Sequence, residues 1–185
     1  MDLIKLRARQ GGVLHLYWGQ VGNLPPAKGV IIFILKGDSL LIVENPVRGW
    51  EIPGGTIEAG EDELITVHRE AYEETGCTLT EPFRLGQYSL VDDQGLASIE
   101  VAIYFAQIRE EGCLPIDSEI KAVDVLKVKE WLRVKEEDRF SKAMKDHVFF
   151  LALGRIKELG LVSLKLAEGI EKEVCDILTY YNIAE

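Results

Sequence analysis

Residues 55–77 constrain the fold of this chain more than any other stretch. They open with glycine, continue into acidic residues, and then carry a helical pattern that ends at Gly76. On a helix over residues 62–75, at about 100° per residue, four apolar side chains fall on one side and three glutamates on the other. The apolar side chains are those of Leu64, Val67, Ala71 and Tyr72, and the glutamates are Glu70, Glu73 and Glu74. The pattern predicts an amphipathic helix with three carboxylates on one face.

These three carboxylates are close enough to repel one another. Glu70 and Glu74 are four residues apart, so they are neighbours one turn along the helix, and Glu73 flanks them. Like charges at this spacing destabilise a helix and push the pKa of one acid upward. A divalent cation removes the conflict, because Mg²⁺ prefers hard oxygen ligands. The alternative interpretation is a solvated acidic face that binds nothing.

The residues around the acids resemble the Nudix box of the Nudix hydrolase family, which includes the MutT-like enzymes. In that motif Gly is followed after five residues by Glu, and after seven more by Arg-Glu. An aliphatic residue, any residue, Glu-Glu, any residue, Gly and a final aliphatic residue complete it. The fixed positions are filled here by Gly55, Glu61, Arg69, Glu70, Glu73, Glu74 and Gly76. Ala71 and Cys77 hold the two aliphatic positions, a departure that affects packing rather than chemistry.

The resemblance implies a role for each matched residue. The three glutamates are the expected metal ligands, and which of them acts as the base stays open. The carbonyl of Gly55 is a further expected ligand, since glycine allows the backbone to approach an ion closely. Arg69 is expected to pair with a carboxylate of the motif and hold its orientation, because its guanidinium is a rigid fork. Glu61 is the expected neighbour of Arg69.

The resemblance also implies a reaction. The expected activity is hydrolysis of the diphosphate linkage of a nucleoside diphosphate derivative, giving a nucleoside monophosphate and a phosphorylated product. Mg²⁺, with Mn²⁺ as a substitute, is the expected cofactor. Nucleotide sugars, ADP-ribose-like compounds and nucleoside triphosphates stay open as substrates, because residues 91–94 carry no subgroup tag. An isomerase on the same scaffold and a nucleotide-sensing module without catalysis are the alternatives. The complete set of acids favours the enzyme.

Four residues outside the motif are candidates for contact with the substrate. Arg48 is a candidate phosphate contact, with an ordinary surface arginine as the alternative. Trp50, Tyr88 and Tyr104 are candidates for stacking on a base, and each is equally compatible with core packing.

One acid far from the helix is a candidate for the metal. Related enzymes often draw a further carboxylate from the loop near residue 119, so Glu119 is the candidate ligand. Asp117 lies in the same stretch, and a surface acid is the alternative for both.

Apolar runs on both sides of the motif predict strands. Two runs around Gly37-Asp38 form a predicted hairpin whose strands are buried on both faces. Alternating residues after the motif predict a second hairpin and a last strand that leads into Trp131. The predicted strands are residues 13–18, 28–36, 39–44, 82–90, 96–109 and 118–128. The fold class is α/β, and the resemblance implies the Nudix α/β/α sandwich with a mixed sheet.

The C-terminal part has a helical pattern. Residues 1–135 are the predicted catalytic domain, and residues 136–185 are a predicted helical extension packed on the same domain. Acidic residues 136–138 are predicted to open its first helix and Gly160 to end it. The apolar stripe of that helix is Phe140, Met144, Val148, Leu151 and Ile156. Residues 161–181 predict a second helix. Packing on the core, covering the site and pairing two subunits as a homodimer stay open as its roles.

Composition narrows the classes of partner. The 185 residues are 47% hydrophobic and 28% charged, as in a soluble globular domain. The net charge is −10 and no basic tract is present, which argues against a nucleic-acid polymer and leaves a small nucleotide as the expected partner. Three separated cysteines indicate a reduced, cytoplasmic protein. No apolar run approaches about 18 residues, so no membrane span is expected.

Overall fold

The computed structural model describes residues 3–180, apart from residues 10, 20, 21, 23, 38, 93, 95, 96, 135 and 162–167. Within this part of the chain there are ten strands and four α-helices. The strands are β1 (Leu3–Arg7), β2 (Val13–Trp18), β3 (Gly29–Lys36), β4 (Ser39–Asn45), β5 (Gly49–Glu51), β6 (Gly54–Thr56), β7 (Thr78–Leu79), β8 (Phe83–Val91), β9 (Ala97–Glu110) and β10 (Val123–Lys127). The helices are α1 (Glu63–Thr75), α2 (Val128–Val134), α3 (His147–Glu158) and α4 (Glu168–Tyr180).

The strands form a mixed sheet in the order β1-β2-β8-β9-β3-β4-β10. Strands β3 and β9 run parallel at its centre, and the other neighbours along this path are antiparallel. The central strands β3 and β4 have buried residues on both faces, as their continuous apolar runs predict. Both predicted hairpins are present, one formed by β3 and β4 and the other by β8 and β9.

The two strands of the first hairpin pair with each other only near the turn, and the glycines of the motif pair with the rest of β3. Only Leu35 and Lys36 of β3 pair with β4, and the earlier part of β3 pairs with β6 instead. In that pairing Gly55 lies opposite Val30 and Gly54 lies opposite Ile31. The motif therefore begins as a strand of the sheet, and its helix follows within the same stretch of chain.

Helices cover both faces of the sheet. On one face Val67 and Ala71 of α1 join a core cluster with alternate residues of β3 and β9. On the other face Phe149 and Phe150 of α3 pack with Phe33 and with Trp131 of α2. The predicted α/β/α sandwich with a mixed sheet and C-terminal helices is confirmed.

Helix α1 has the predicted extent but a different buried side. Asp62 caps its start, accepting a hydrogen bond from the Ile65 amide over 2.8 Å, and Gly76 ends it in the left-handed conformation with φ of 72°. Leu64 and Tyr72 were placed on the buried side, yet they are 46% and 54% exposed. The buried side instead includes Thr66, Val67, Ala71 and Thr75. This side is also next to two of the glutamates.

The last strand begins later than predicted, and a short helix that was not predicted follows it. Strand β10 covers Val123–Lys127, whereas residues 118–122 form a loop that precedes it. Val128 is the first residue of α2, and Trp131 lies buried on that helix. Apolar residues recur at 120, 123, 125 and 128 and extended the predicted strand, but pairing with β4 is confined to Val123–Lys127.

The C-terminal helix also starts later than predicted. Residues 136–138 lie in turns, and α3 begins at His147 with Asp146 as its cap. Phe140 lies before the helix and is buried. Its two neighbours bond to the backbone of Trp50. The Trp50 amide donates to the Arg139 carbonyl over 2.7 Å, and the Ser141 amide donates to the Trp50 carbonyl over 3.0 Å. Gly160 follows the end of α3, as predicted.

The C-terminal helices pack on the rest of the chain. The apolar stripe from Phe140 to Ile156 is buried in the same cluster as strands β1 and β2. Helix α4 packs against α3 near Gly154 and Val174, and part of the predicted second helix, residues 162–167 and Tyr181, lies outside the described residues. The boundary at residue 135 and pairing of subunits stay predictions. Among the described residues no helix is both long and apolar enough to cross a bilayer.

Candidate active site

The end of α1 is hydrogen-bonded to the glycine strand. The Gly54 amide donates to the Glu74 Oε2 atom over 2.9 Å. Glu74 is partly buried, and at about 100° per residue it lies only about 20° around the helix from the buried Val67. Glu74 therefore points to the sheet, on the same side as the core residues of α1. The prediction that the glutamates lie opposite the apolar side was wrong for this residue.

Glu70 lies against the other glycine. A side chain at position 55 would collide with the Glu70 carboxylate, so only glycine permits this approach. The Glu70 side chain is 12% exposed, whereas Glu73 is 54% exposed. The structure thus divides the three glutamates: Glu70 and Glu74 face the Gly54–Gly55 backbone, and Glu73 lies at the surface.

Arg69 connects the acids of the motif. Its Nε atom donates to Glu61 Oε1 over 2.7 Å and its second terminal nitrogen donates to Glu61 Oε2 over 3.0 Å. The first terminal nitrogen donates to Glu70 Oε1 over 2.9 Å and to Glu73 Oε2 over 3.1 Å. A further bond reaches the carbonyl of Thr56 over 3.0 Å. The guanidinium fixes the orientation of Glu70 relative to the glycine strand, as its fork geometry allows.

Glu61 is held on three sides. Besides Arg69, it accepts a hydrogen bond from the Thr66 hydroxyl over 2.7 Å and from the Glu58 amide over 3.1 Å. The bonds from Arg69 and then from Thr66 lower the pKa of Glu61 to about 2. Glu61 therefore remains ionised at neutral pH and keeps Arg69 in place, and it is committed to this ion pair.

The pKa values of the two inward glutamates, Glu70 and Glu74, are raised, whereas the pKa of Glu61 is lowered. Burial raises the pKa of Glu74 to about 7, and the charge of Glu70 adds to this, against the lowering effect of the Gly54 hydrogen bond. Burial also raises the pKa of Glu70, although Arg69 opposes the shift. Their negative charges are thus incompletely compensated by the protein.

This donor set fits a divalent cation. Glu70 and Glu74 offer carboxylate oxygens beside a glycine backbone, and the cation would supply the compensating charge that they lack. Among the described residues, no three acidic, histidine or cysteine side chains are close enough together to hold an ion as they stand. Glu73 is bonded to Arg69, so it joins a metal site only by leaving that bond. Metal binding by these residues stays a prediction.

Arg48 lies beside the same acids. It donates to Glu51 through Nε over 3.0 Å and through a terminal nitrogen over 2.6 Å. The hydrogen bond to Glu51 raises the pKa of Arg48, and the charges of Glu51, Glu74 and Glu119 add to the rise against its partial burial. Glu74 and Glu119 are therefore each within electrostatic reach of Arg48, although the three residues come from separate segments.

A cleft of about 510 Å³ begins at the glycine strand and extends to the start of α3. Its lining includes Arg48, Glu51, Gly54 and Gly55, together with Tyr88, Asp146 and Phe149. Burial raises the pKa of Tyr88 to about 12, with a contribution from the charge of Asp146, so its phenol stays protonated. The cleft thus extends from the glycines that contact Glu70 and Glu74 to the aromatic side chains of Tyr88 and Phe149, and the two glutamates lie behind those glycines and do not line it.

Two of the candidate stacking residues lie elsewhere. Trp50 packs against the core and pairs with Phe140, and it does not line the cleft. Tyr104 lies on the α1 side of the sheet, where its hydroxyl donates to Glu63 Oε2 over 2.7 Å. Arg84 donates to the same carboxylate over 2.8 Å. Tyr104 therefore helps to attach the start of α1 to the sheet and is no candidate for base stacking.

Three residues of this region were missed from the sequence. Glu51 and Asp146 are buried acids that line the cleft, and Ser118 contacts the end of α1. Glu51 lies two residues before Pro53, in the lead-in to the motif, so a signal for it existed. Asp146 and Ser118 reach the site only through the tertiary fold.

Comparison with known proteins gives a consistent family. The model of the NUDIX domain matches residues 25–151. A candidate 8-oxo-dGTP diphosphatase of Bacillus subtilis, YtkD, is 32% identical over 135 residues, which cover 73% of this chain and 84% of YtkD. An RNA pyrophosphohydrolase of Pelagibacter ubique is 39% identical over 57 residues, which cover 29% of this chain and 36% of that protein.

A solved structure agrees with these sequence matches. The crystal structure of the Bacillus subtilis pyrophosphohydrolase BsRppH, determined for a point mutant, superposes with a TM-score of 0.78 at 26% identity. The superposition covers 86% of this chain and 99% of that chain. The resemblance drawn from residues 55–77 is confirmed over most of the chain. This chain belongs to the Nudix family.

Proposed function

We propose that this protein is a Mg²⁺-dependent pyrophosphohydrolase that converts a purine nucleoside triphosphate into the nucleoside monophosphate and pyrophosphate. The observation that supports the proposal is the pair of inward carboxylates, Glu70 and Glu74, held against Gly54 and Gly55, two glycines that line a cleft. The family generally uses divalent cations, and a named diphosphatase and a named pyrophosphohydrolase are among its similar members.

Glu70 and Glu74 are the proposed ligands that hold the cation, with the carbonyl of Gly55 beside them. Glu73 is the proposed third carboxylate, recruited when Arg69 releases it. When bound, Mg²⁺ lowers the pKa of a coordinated water and neutralises phosphate charge. Arg69 and Glu61 keep the Glu70 carboxylate in one orientation, so little reorganisation is needed during the reaction.

Arg48 is the proposed phosphate contact. Its guanidinium is half exposed at the mouth of the cleft and is paired with Glu51. A polyphosphate that enters the cleft competes with Glu51 for the same donors, and it offers more charge. Arg48 thereby orients the chain of phosphates toward the inward glutamates. In the reaction a water oxygen bonds to the α- or β-phosphorus, the P–O bond of the α–β bridge breaks, and the water proton passes to solvent. The products are the nucleoside monophosphate and pyrophosphate.

Asp146 is the proposed residue that selects the base. It is 6% exposed and lines the cleft, where one carboxylate oxygen accepts from the His147 amide over 2.7 Å. A carboxylate only accepts hydrogen bonds. It therefore suits the two adjacent donors on the edge of guanine and is repelled by the acceptor nitrogen on the edge of adenine. Tyr88 and Phe149 provide the apolar wall for the ring.

A substrate screen tests this proposal. Phosphate and pyrophosphate release are measured with Mg²⁺ for dGTP, 8-oxo-dGTP, ATP, a nucleotide sugar, ADP-ribose and a 5′-triphosphorylated RNA oligonucleotide. We expect preference for a guanine-type triphosphate and pyrophosphate as the product. Glu74→Gln is expected to reduce turnover by about 100-fold or more with the fold intact.

The matched control is Glu130→Gln, which removes an exposed acid from α2. It is expected to keep normal turnover. Preference for a nucleotide sugar or for ADP-ribose would contradict the substrate proposal. Near-normal turnover of Glu74→Gln would contradict the assignment of the site.

A further inference from the structure

The segment before α3 is attached to strand β5 as a short extra strand. The Trp50 amide donates to the carbonyl of Arg139 over 2.7 Å, and the Ser141 amide donates to the carbonyl of Trp50 over 3.0 Å. Through these two bonds Trp50 and Phe140 form a parallel bridge. Strand β5 therefore lies between β4 on one side and residues 139–141 on the other, although the two segments are far apart in the sequence.

Close packing at Gly49 holds the same two segments together. Gly49 has a φ of 85°, in the left-handed region, and a side chain there would collide with the backbone carbonyl of Arg139. Only glycine permits both the conformation and the approach. The side chain of Phe140 is 4% exposed and packs in the core. Residues 139–141 are thus held by backbone bonds, by a glycine contact and by a buried side chain.

A single tight turn connects this attachment to Asp146. The Ser141 hydroxyl accepts a hydrogen bond from the Met144 amide over 3.4 Å, and Ala143–Lys145 form one 3₁₀ turn. The Asp146 amide donates to the carbonyl of Ala143 over 3.1 Å and ends that turn. Met144 is 1% exposed, so the turn is anchored in the core. Consecutive hydrogen bonds and a buried side chain therefore fix the path of the backbone from Ser141 to Asp146.

The proposed phosphate contact lies at the other end of this connection. Arg48 immediately precedes Gly49, and Glu51 immediately follows Trp50. The side chains of Arg48 and Glu51 are bonded to each other over 2.6 Å, and both line the cleft that Asp146 also lines. Strand β5 and the segment up to Asp146 are thus two adjoining walls of one cleft, and their backbones are joined.

We propose that Gly49 is a positioning residue, and that its contact with Arg139 sets the distance between the phosphate contact Arg48 and the base-selecting Asp146. This inference rests on the proposed function, in which these last two residues contact the polyphosphate and the base. When the phosphates of a nucleotide are held, the distance to Asp146 determines whether the base can reach its carboxylate. The C-terminal segment is then part of the substrate site, and discrimination between bases depends on its attachment to β5.

Gly49→Ala tests the proposal, because the new methyl group meets the Arg139 carbonyl and displaces the segment from β5. The constants kcat and KM are measured for dGTP and dATP, and Mn²⁺ binding to the substrate-free protein is measured by electron paramagnetic resonance. We expect KM for dGTP to rise at least about tenfold and the preference over dATP to be lost, since a displacement of about 1 Å is sufficient. Mn²⁺ binding should stay normal, because Gly54 and Gly55 contact the inward glutamates and Gly49 does not.

Gly37→Ala is the matched control for backbone strain. Gly37 also has a left-handed φ, of 67°, but a side chain there meets no atom of the described residues within 4 Å, and Gly37 does not line the cleft. We expect this variant to unfold at a lower urea concentration and to keep the wild-type ratio of the kcat/KM values for dGTP and dATP. Strain without displacement of the segment should leave base discrimination intact.

Two further variants follow the connection to Asp146. Ser141→Ala removes the acceptor for the Met144 amide and leaves Gly49 in place, so it should lower the preference for dGTP by about threefold. The double variant Gly49→Ala/Asp146→Asn shows whether Gly49 acts through Asp146. We expect it to discriminate between the two nucleotides no less than Asp146→Asn alone.

Three results overturn the proposal while the proposed function stands. The first is an unchanged preference in Gly49→Ala when Asp146→Asn has lost it, and the second is an equal loss in Gly37→Ala. The third applies if Gly49→Ala does not fold, and it is an unchanged preference in Ser141→Ala. If the wild type does not prefer dGTP to dATP, base selection by Asp146 fails and this inference fails with it.

Discussion

Gly54 and Glu74 are 20 residues apart, yet the amide of the first donates to the carboxylate of the second over 2.9 Å. This bond joins the strand that opens the motif to the last turn of its helix. Glu70 is likewise held against the next glycine, Gly55, but through close contact and not through a hydrogen bond. The geometry of the candidate metal site is therefore set by a strand and a helix that pack directly on each other.

Gly55→Ala tests this close packing. The new methyl group would collide with the Glu70 carboxylate and push it from the strand. We expect turnover to fall by about 100-fold, because a displacement of about 1 Å in a catalytic site costs that much. Gly22→Ala is the control, since a methyl group there meets no atom within 4 Å. Similar turnover of both variants with the same substrate would contradict a role for the close contact between Gly55 and Glu70.

Arg69→Lys tests the guanidinium fork. Lysine keeps the positive charge but cannot bond to Glu61 through two nitrogens while also reaching Glu70 and Thr56. We expect kcat to fall by about tenfold or more, and the free energy of unfolding to fall by about 1–2 kcal/mol. Arg155→Lys changes one ion pair near the surface and should alter both quantities little. An Arg69→Lys variant with normal kcat would show that charge alone is sufficient.

The attachment of α1 to the sheet predicts a pH dependence of stability. Burial would raise the pKa of Glu63, but the hydrogen bonds from Arg84 and Tyr104 outweigh it, so the pKa lies below its usual value of 4.5. A carboxyl with a lowered pKa stabilises the fold above the unfolded-state pKa and loses this effect as the pH falls through the folded-state pKa. The stability difference between wild type and Glu63→Gln should be largest near pH 7.

Urea unfolding at a series of pH values from about 7 down to about 3 measures that difference. We expect it to shrink below about pH 5 as both states become protonated. Tyr104→Phe removes one of the two donors to Glu63. Its loss of stability relative to the wild type should be smaller than that of Glu63→Gln and should shrink in the same way toward acid pH. A difference between wild type and Glu63→Gln that grows toward acid pH would contradict the sign of the shift.

Asp146→Asn separates base selection from helix capping. Asparagine caps helices about as well as aspartate, so the fold should be retained. It replaces one carboxylate oxygen by an amide donor, which opposes the donors of guanine and suits the acceptor of adenine. We expect KM for a guanine-type triphosphate to rise about tenfold and the preference over ATP to disappear. Unchanged preference, measured as the ratio of the two kcat/KM values, would place base selection elsewhere.

Much of the fold could be predicted because its helices and strands follow the local sequence patterns. The helix over residues 62–75 has both caps in its sequence, and the strands around residues 28–44 are continuous apolar runs. The predicted boundaries were wrong where contacts between distant segments determine where a strand or a helix begins. Apolar residues recur from Ile120 into α2, so the start of the pairing with β4 could not be located. Phe140 fitted the helical stripe, although it pairs with Trp50.

The candidate site shows the same division. The acids of the motif and their link to Arg69 followed from sequence spacing and resemblance, and the structure brings them together. The inward direction of Glu70 and Glu74 did not follow, because it depends on how β6 inserts beside β3. Asp146 and Ser118 come from segments after the motif, and only the fold carries them to the cleft and to the end of α1.

Cation binding by Glu70 and Glu74 is the most direct test of the proposed site. Mn²⁺ and Mg²⁺ are titrated calorimetrically into the wild type and into Glu70→Gln, Glu74→Gln and the control Glu130→Gln, all without substrate. We expect each of the two site variants to bind the cation at least about tenfold more weakly than the wild type, with the control unchanged. Equal binding by the wild type and both site variants would contradict the assignment of these two carboxylates as the metal site.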